Sequence, residues 1–331
     1  MNMITALAAV CILAAVGYGG GQVEALRFVF GTALPYLGIV IFLGGLVYQV
    51  MRWSSSPVPF KIPTTSGQQR SLPWIKHSKL DSPFTTLGVI GRMLLEVLFF
   101  RSLFRNTKSE LRDGPRLVYG EEKWLWLAAM AFHWTFLVVF LRHLRFFMEP
   151  TPACVVMLQN LDGFFQIGAP ALLWTGVILL AALLYLLARR LFDSQVRYIS
   201  LFTDYFALFL LLGLTISGLL MRYFTKVDIV SIKQLGVGLV TFSPVVPETI
   251  GPLFFVHLFM LTALIAYFPF SKLVHMPGVF LSPTRNLANN NRAKRHINPW
   301  NPEVKVHTYE EWEEEFHDKI VAAGLPLDKK E

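Results

Sequence analysis

Six runs in this chain are apolar over lengths that approach or match a membrane crossing, which takes about 20 predominantly apolar residues. They read as Ile4–Tyr18, Phe28–Met51, Trp124–Phe147, Phe165–Ala188, Ile199–Tyr223 and Ile250–Val274. Charged residues make up 16% of the chain and mean hydropathy is +0.49, whereas soluble domains are about 25% charged. Burial in a soluble core therefore does not explain these runs. The first run is short, but no Lys or Arg precedes it as a secretory leader requires, so it reads as a membrane helix. The expected fold class is an all-α membrane protein with about six transmembrane helices.

A net charge of +8 and a pI near 9.5 would suit nucleic acid only if the basic residues shared a face. They cluster instead in loops between apolar runs, the positive-inside pattern, and nucleic-acid binding is set aside. The segment from Arg52 to Lys123 holds twelve Lys or Arg against six Asp or Glu, while Glu149–Phe164 has no Lys or Arg. Arg189, Arg190 and Arg197 flank the next connection, and Arg285, Arg292, Lys294 and Arg295 open the tail. This alternation predicts a multi-pass protein of the cytoplasmic (inner) membrane with both termini in the cytoplasm. Lys226 and Lys233, between the fifth and sixth runs, fit the pattern less well.

The organisation expected is two N-terminal helices over 1–51, a cytoplasmic basic loop over 52–123, a four-helix bundle over 124–275 and a cytoplasmic tail over 276–331. Within the loop, Phe84–Phe104 is apolar but interrupted by Arg92, Glu96 and Arg101, which predicts an interfacial helix. The tail is polar and carries the acidic run Tyr309–His317.

Ionisable residues at membrane depth are functional candidates, because lipid penalises them unless something compensates. Of eight histidines, four fall on two runs: His133 and His143 on the third, His257 and His275 on the sixth. His77, His296, His307 and His317 lie in polar segments and read as solvated. At ~1.5 Å per residue, His133 and His143 lie about 15 Å apart along a helix, and His257 and His275 about 27 Å apart. On antiparallel helices His133 faces His275 toward the cytoplasmic side, and His143 faces His257 toward the other. The unequal separations require tilt or a kink, and Pro269 lies between the sixth-run pair. Matched pairs on two helices point to two bis-histidine haems b, with these four residues as ligands to the haem iron, at the core of the four-helix bundle. The bland alternative is a set of interhelical hydrogen bonds. A metal transporter would want carboxylates beside the histidines, and the runs carry almost none. Cys11, in an apolar run, and Cys154, expected in a loop, form no CxxC, so zinc, iron–sulfur and c-type haem sites are excluded. Arg142, Arg145, Arg222 and Lys272 are candidate propionate partners or snorkelling side chains, and Met148, Met260 and Met276 read as packing.

A His–x9–His run followed by a His–x17–His run resembles the cytochrome b (gamma) subunits of respiratory nitrate reductases, whose four matching histidines hold two haems b. That likeness covers about His133 to His275. The longer pattern, with PVPFKIPTTSGQQ and SLPWIKHSKLDSP in the basic loop, six runs and a polar tail, is similar to the DsrM-type cytochrome b subunits of the membrane redox complex associated with dissimilatory sulfite reduction. The resemblance implies menaquinol as electron donor. As partners it implies a cytoplasmic iron–sulfur subunit similar to heterodisulfide reductase, with other membrane and periplasmic redox subunits. In the nitrate reductase relatives quinol binds near the outer haem, with a glycine just before the matching histidine; here that position is Arg142.

The function expected is that of a di-haem electron carrier, a subunit of a quinol-oxidising oxidoreductase. The alternative is a membrane anchor or assembly subunit without haem.

Overall fold

A computed structural model describes residues 2–56, 67–105, 107–282, 284–294 and 306–328. Among the described residues six helices are long and apolar enough to cross a membrane: Asn2–Gln22, Glu24–Ser54, Lys123–Phe146, Trp174–Phe192, Phe202–Thr225 and Pro252–Phe270. The protein is a multi-pass, all-α membrane protein; one antiparallel hairpin, Thr107–Arg112 with Arg116–Glu121, precedes the third span.

The third span packs on the fourth, the fourth on the fifth and the fifth on the sixth. The third and sixth then face each other through two pairs of imidazoles. Buried aliphatic and aromatic side chains join these spans, among them Leu183, Leu210, Val256 and Met260. Met260 is thus core packing, whereas Met148 and Met276 are exposed.

The first span lies in a groove against the fifth and sixth. At Gly17 an added Cβ would sit 3.0 Å from Val256 Cα. A small residue here lets two membrane helices approach closely, where packing and not the hydrophobic effect drives association. The first run is therefore an integral part of the bundle.

Three expectations change in detail. The fourth span begins at Trp174, not Phe165, because Gln166 (φ 49°) and Gly168 (φ 83°) take left-handed backbone and Pro170 lacks an N–H. Cys154 lies on a ten-residue helix, Ala153–Asp162, not in a loop. The sixth span is not one helix through His275. It ends at Tyr267, passes through a 3-10 turn at Phe268–Phe270, goes extended at Ser271 (φ −120°, ψ 175°) and re-enters a 3-10 turn at Lys272–Val274. Pro269 cannot donate an N–H, and Gln49 Nε2 donates to its carbonyl at 2.8 Å. Gly45 accepts the buried proline ring, since a Cβ there would lie 2.7 Å from Pro269 Cβ. His257 and His275 therefore do not lie on one continuous helix about 27 Å apart.

The interfacial segment forms helices Thr86–Phe99 and Arg101–Arg105, separated by Phe100 in the left-handed region (φ 49°). Trp126 and Trp134 of the third span donate to the carbonyls of Phe99 and Leu98 at 2.7 and 3.1 Å. Asp81 ties the loop to this segment: burial raises its carboxyl, but hydrogen bonds from Arg101, Arg105 and Ser78 outweigh that and hold it well below the usual carboxylate range. The tail packs back on the same platform. Arg92 donates to the carbonyls of Thr284, Arg285 and Leu287, and Asn289 N donates to Pro83 O at 2.7 Å. Most of the PVPFKIPTTSGQQ stretch, residues 57–66, and His296 lie outside the described residues.

The connection between the fifth and sixth spans contains a helix, Ile229–Val240, too short to cross. Lys233 on it pairs with Glu149 of the neighbouring connection, so this cation, discordant in the loop-charge pattern, is neutralised within the fold.

Candidate functional site

The third span carries His133 and His143, and each ring turns back on its own helix. His133 Nδ1 donates to Ala129 O at 2.8 Å and His143 Nδ1 to Val139 O at 2.6 Å, each one turn earlier. His275 Nδ1 donates to Lys272 O at 2.8 Å. A carbonyl only accepts, so these three imidazoles carry the proton on Nδ1 and present Nε2 as a free lone pair. The fourth, His257, places Nδ1 2.8 Å from Ser217 Oγ on the fifth span. Oriented, neutral imidazoles with an engaged second nitrogen are the usual preparation for metal ligation.

The structure brings the histidines together in the expected pairs. His133 and His275 have ring centroids 6.0 Å apart, with ring planes at 81°. His143 and His257 are 6.4 Å apart with planes at 7°. Taking ~2.0–2.1 Å, the metal–imidazole nitrogen distance known for zinc, two rings on opposite sides of one metal ion have centroids about 6.3 Å apart. Both pairs match that span. Among the described residues no cluster of three or more His, Cys, Asp or Glu exists. A site with two protein ligands suits a metal whose remaining ligands come from a macrocycle, and the histidine pairs fit haem on this count.

Aromatic side chains wall the His133–His275 pair: Phe100 and Phe132 each meet His133 edge-on at 4.8 Å between centroids. The left-handed turn at Phe100 thus brings the end of the interfacial helix onto an imidazole. Sequence reading missed this residue; its signal was an apolar segment ending in paired Phe beside charged residues. Beside the His143–His257 pair, Phe146 lies 5.9 Å from His143. Next to it a cavity of about 240 Å³ opens, lined by Arg145, Phe146, Thr151, Gln159 and Lys233 among others.

The candidate propionate partners all have protein partners. Arg142 forms a buried ion pair with Asp162 at 2.8 Å. Arg145 donates to Gln159 Oε1 at 2.5 Å, Arg222 to Ala171 O at 3.0 Å, and Lys272 pairs with Asp204 at 2.8 Å. Asp204 also accepts from Leu201 N at the start of the fifth span, so it serves as both cap and interface contact. Arg142, read from sequence as a departure at the quinol pocket, faces Asp162 as an ion pair, with its Nε and the pairing nitrogen making no hydrogen bond.

Residues 116–293, more than half the chain, match the family model described as nitrate reductase gamma subunit. The chain is 47% identical over 281 residues to an Hdr-like menaquinol oxidoreductase cytochrome b-like subunit of Archaeoglobus fulgidus, covering 83% of this chain and 84% of that one. A protein of the same description from Archaeoglobus profundus is 44% identical, covering 83% of each. One subunit of the dihydromethanophenazine:CoB–CoM heterodisulfide reductase of Methanosarcina thermophila is 27% identical, over 82% of this chain and 96% of that one. By this family match, and by close identity along most of its length, the chain belongs to the nitrate reductase gamma subunit family.

Proposed function

We propose that this protein is a di-haem cytochrome b that takes electrons from a membrane quinol and passes them to a cytoplasmic redox subunit. The observation that carries the reading is the pairing itself: two imidazole pairs at metal-bridging separation, 6.0 and 6.4 Å between centroids, at successive depths of one bundle. His133 and His275 would hold one haem, His143 and His257 the other. Haem b at these pairs supplies two one-electron stations across the membrane. The chain's own part is to orient the four Nε2 lone pairs and to surround them with apolar and aromatic side chains. Burial and hydrogen bonding around such ligands are among the levers that set potential.

The names of the relatives favour menaquinol as donor, and those of the methanogen proteins a reduced membrane carrier of another kind. The same names, Hdr-like and heterodisulfide reductase, support a heterodisulfide-reductase-like iron–sulfur subunit as the cytoplasmic neighbour. Loop charge supports an orientation with both termini and the His133–His275 pair on the cytoplasmic side. Electrons leaving inward exit by that pair, so quinol donates near His143 and His257. The protons released there stay outside while charge moves inward, against about 2.3 kcal/mol per 100 mV. The DsrM-type resemblance supports a setting in a complex linked to sulfite reduction, with further membrane and periplasmic subunits. Adding reduced menaquinone analogue to the purified complex is expected to reduce both b-type bands. A quinol-site inhibitor bound beside the inner pair, with none near His143, would contradict the direction of flow.

A further inference from the structure

Three of the four imidazoles are held by carbonyls of their own chain segment; His257 is held differently. A ring turned back like those of His133 and His143 would reach the Leu253 carbonyl. Its Nδ1 instead meets the Ser217 hydroxyl across the interface with the fifth span, at 2.8 Å. Ser217 is 4% exposed, and its own hydrogen is directed at Leu214 O, 3.1 Å away. With that hydrogen on Leu214 O, which also acts on the His257 ring, the hydroxyl can accept from Nδ1–H, the tautomer that leaves Nε2 free for a metal as in the other three rings. Gly218 beside it leaves the ring in ordinary contact, since a Cβ there would lie 3.5 Å from His257 Cε1.

We propose that Ser217 is a positioning residue for the outer haem: it sets the plane and tautomer of His257 and, through that hydrogen bond, the potential of the iron which His143 and His257 would share. This rests on the haem ligation proposed above. A hydrogen bond donated by Nδ1 raises the basicity of the ligating nitrogen and favours ferric iron. Ser217 also holds the His257 ring at 7° to His143, whereas the inner pair is crossed at 81°. Low-spin ferric haems with parallel imidazole planes give a rhombic EPR signal and those with crossed planes a strongly axial one, so the two sites are distinguishable.

The test is potentiometric titration with EPR on the purified complex carrying wild-type chain, Ser217→Ala or Ser217→Thr. The outer signal is assigned by its loss in His143→Ala. In Ser217→Ala both haems are expected to remain and the inner couple to stay unchanged. The outer couple should move upward by a several-fold change in oxidised-to-reduced ratio, where tenfold is about 59 mV for one electron. The rhombic signal should broaden or shift, and Ser217→Thr, which keeps the hydroxyl, should restore both readouts. An outer couple that does not move in Ser217→Ala overturns the assignment. So does one that moves downward, the result if the Leu214 carbonyl takes over the Nδ1 proton. Absence of haem from the wild-type complex overturns the functional reading beneath it, and the haem count on wild type separates the two failures.

Discussion

A guanidinium at membrane depth is costly unless compensated, and beside the His143–His257 pair Asp162 compensates Arg142. Asp162 also accepts from Thr175 N and Oγ1 at 2.8 and 2.5 Å, so one carboxylate ties the end of the third span to the start of the fourth. Removing one partner of such a pair costs about 3–5 kcal/mol, because the other is left uncompensated, while replacing both by apolar residues of similar volume is often near neutral. Asp162→Met is therefore expected to lower the thermal denaturation midpoint in detergent markedly, and the double variant Arg142→Met with Asp162→Met to recover most of the loss. Equal losses in the two would show that the pair is not coupled. Half of this arrangement was legible in the sequence. Arg142 stood out beside His143, but its partner lay in a stretch read as loop, and which carboxylate reaches it depends on how the Ala153–Asp162 helix folds back. The histidines were legible because lipid admits few of them. Ser217 was not, since a serine in an apolar helix carries no signal until the facing ring is placed.

Span length and hydropathy made the six helices readable, and the capping box that opens the tail helix Tyr309–Ala322, Thr308 with Glu311, is a sequence-local signal. The break in the sixth span was only partly readable. Pro269 marks a kink, but the extended Ser271 depends on Gly45 and Gln49 of another span, which hydropathy does not connect to it. The tail helix stacks Tyr309 on Trp312 and Trp312 on Phe316, at 5.6 and 5.7 Å, and leaves Tyr309 and Trp312 exposed among acidic side chains. Exposed aromatic anchors within a charged rim resemble the composition of interface cores. Deleting residues 301–331 is expected to weaken co-purification of the cytoplasmic redox subunit while leaving the visible spectrum intact. Retention of the full partner set by the truncated chain would contradict a docking role.

At the scale of the whole molecule, the basic loop and the start of the tail form one packed platform near His133 and His275, joined through Arg92 and Asn289. The short helices Ala153–Asp162 and Ile229–Val240 cover the opposite end, near His143 and His257. The first two spans brace the sixth, so the segment that carries both His257 and the break before His275 is held from two sides. This architecture sets two histidine pairs in series between a polar platform and the opposite end of the bundle, and the proposed electron transfer requires each pair to hold one haem. The most direct measurement is a pyridine haemochrome count with a reduced-minus-oxidised spectrum, on the wild-type complex and on four variants replacing His133, His143, His257 or His275 by Ala. Two haems b per chain are predicted for wild type and one for every variant. His143→Ala and His257→Ala should lose the same spectral component, and His133→Ala and His275→Ala the other. A wild-type chain without haem, or two haems persisting in each single variant, would contradict the di-haem reading.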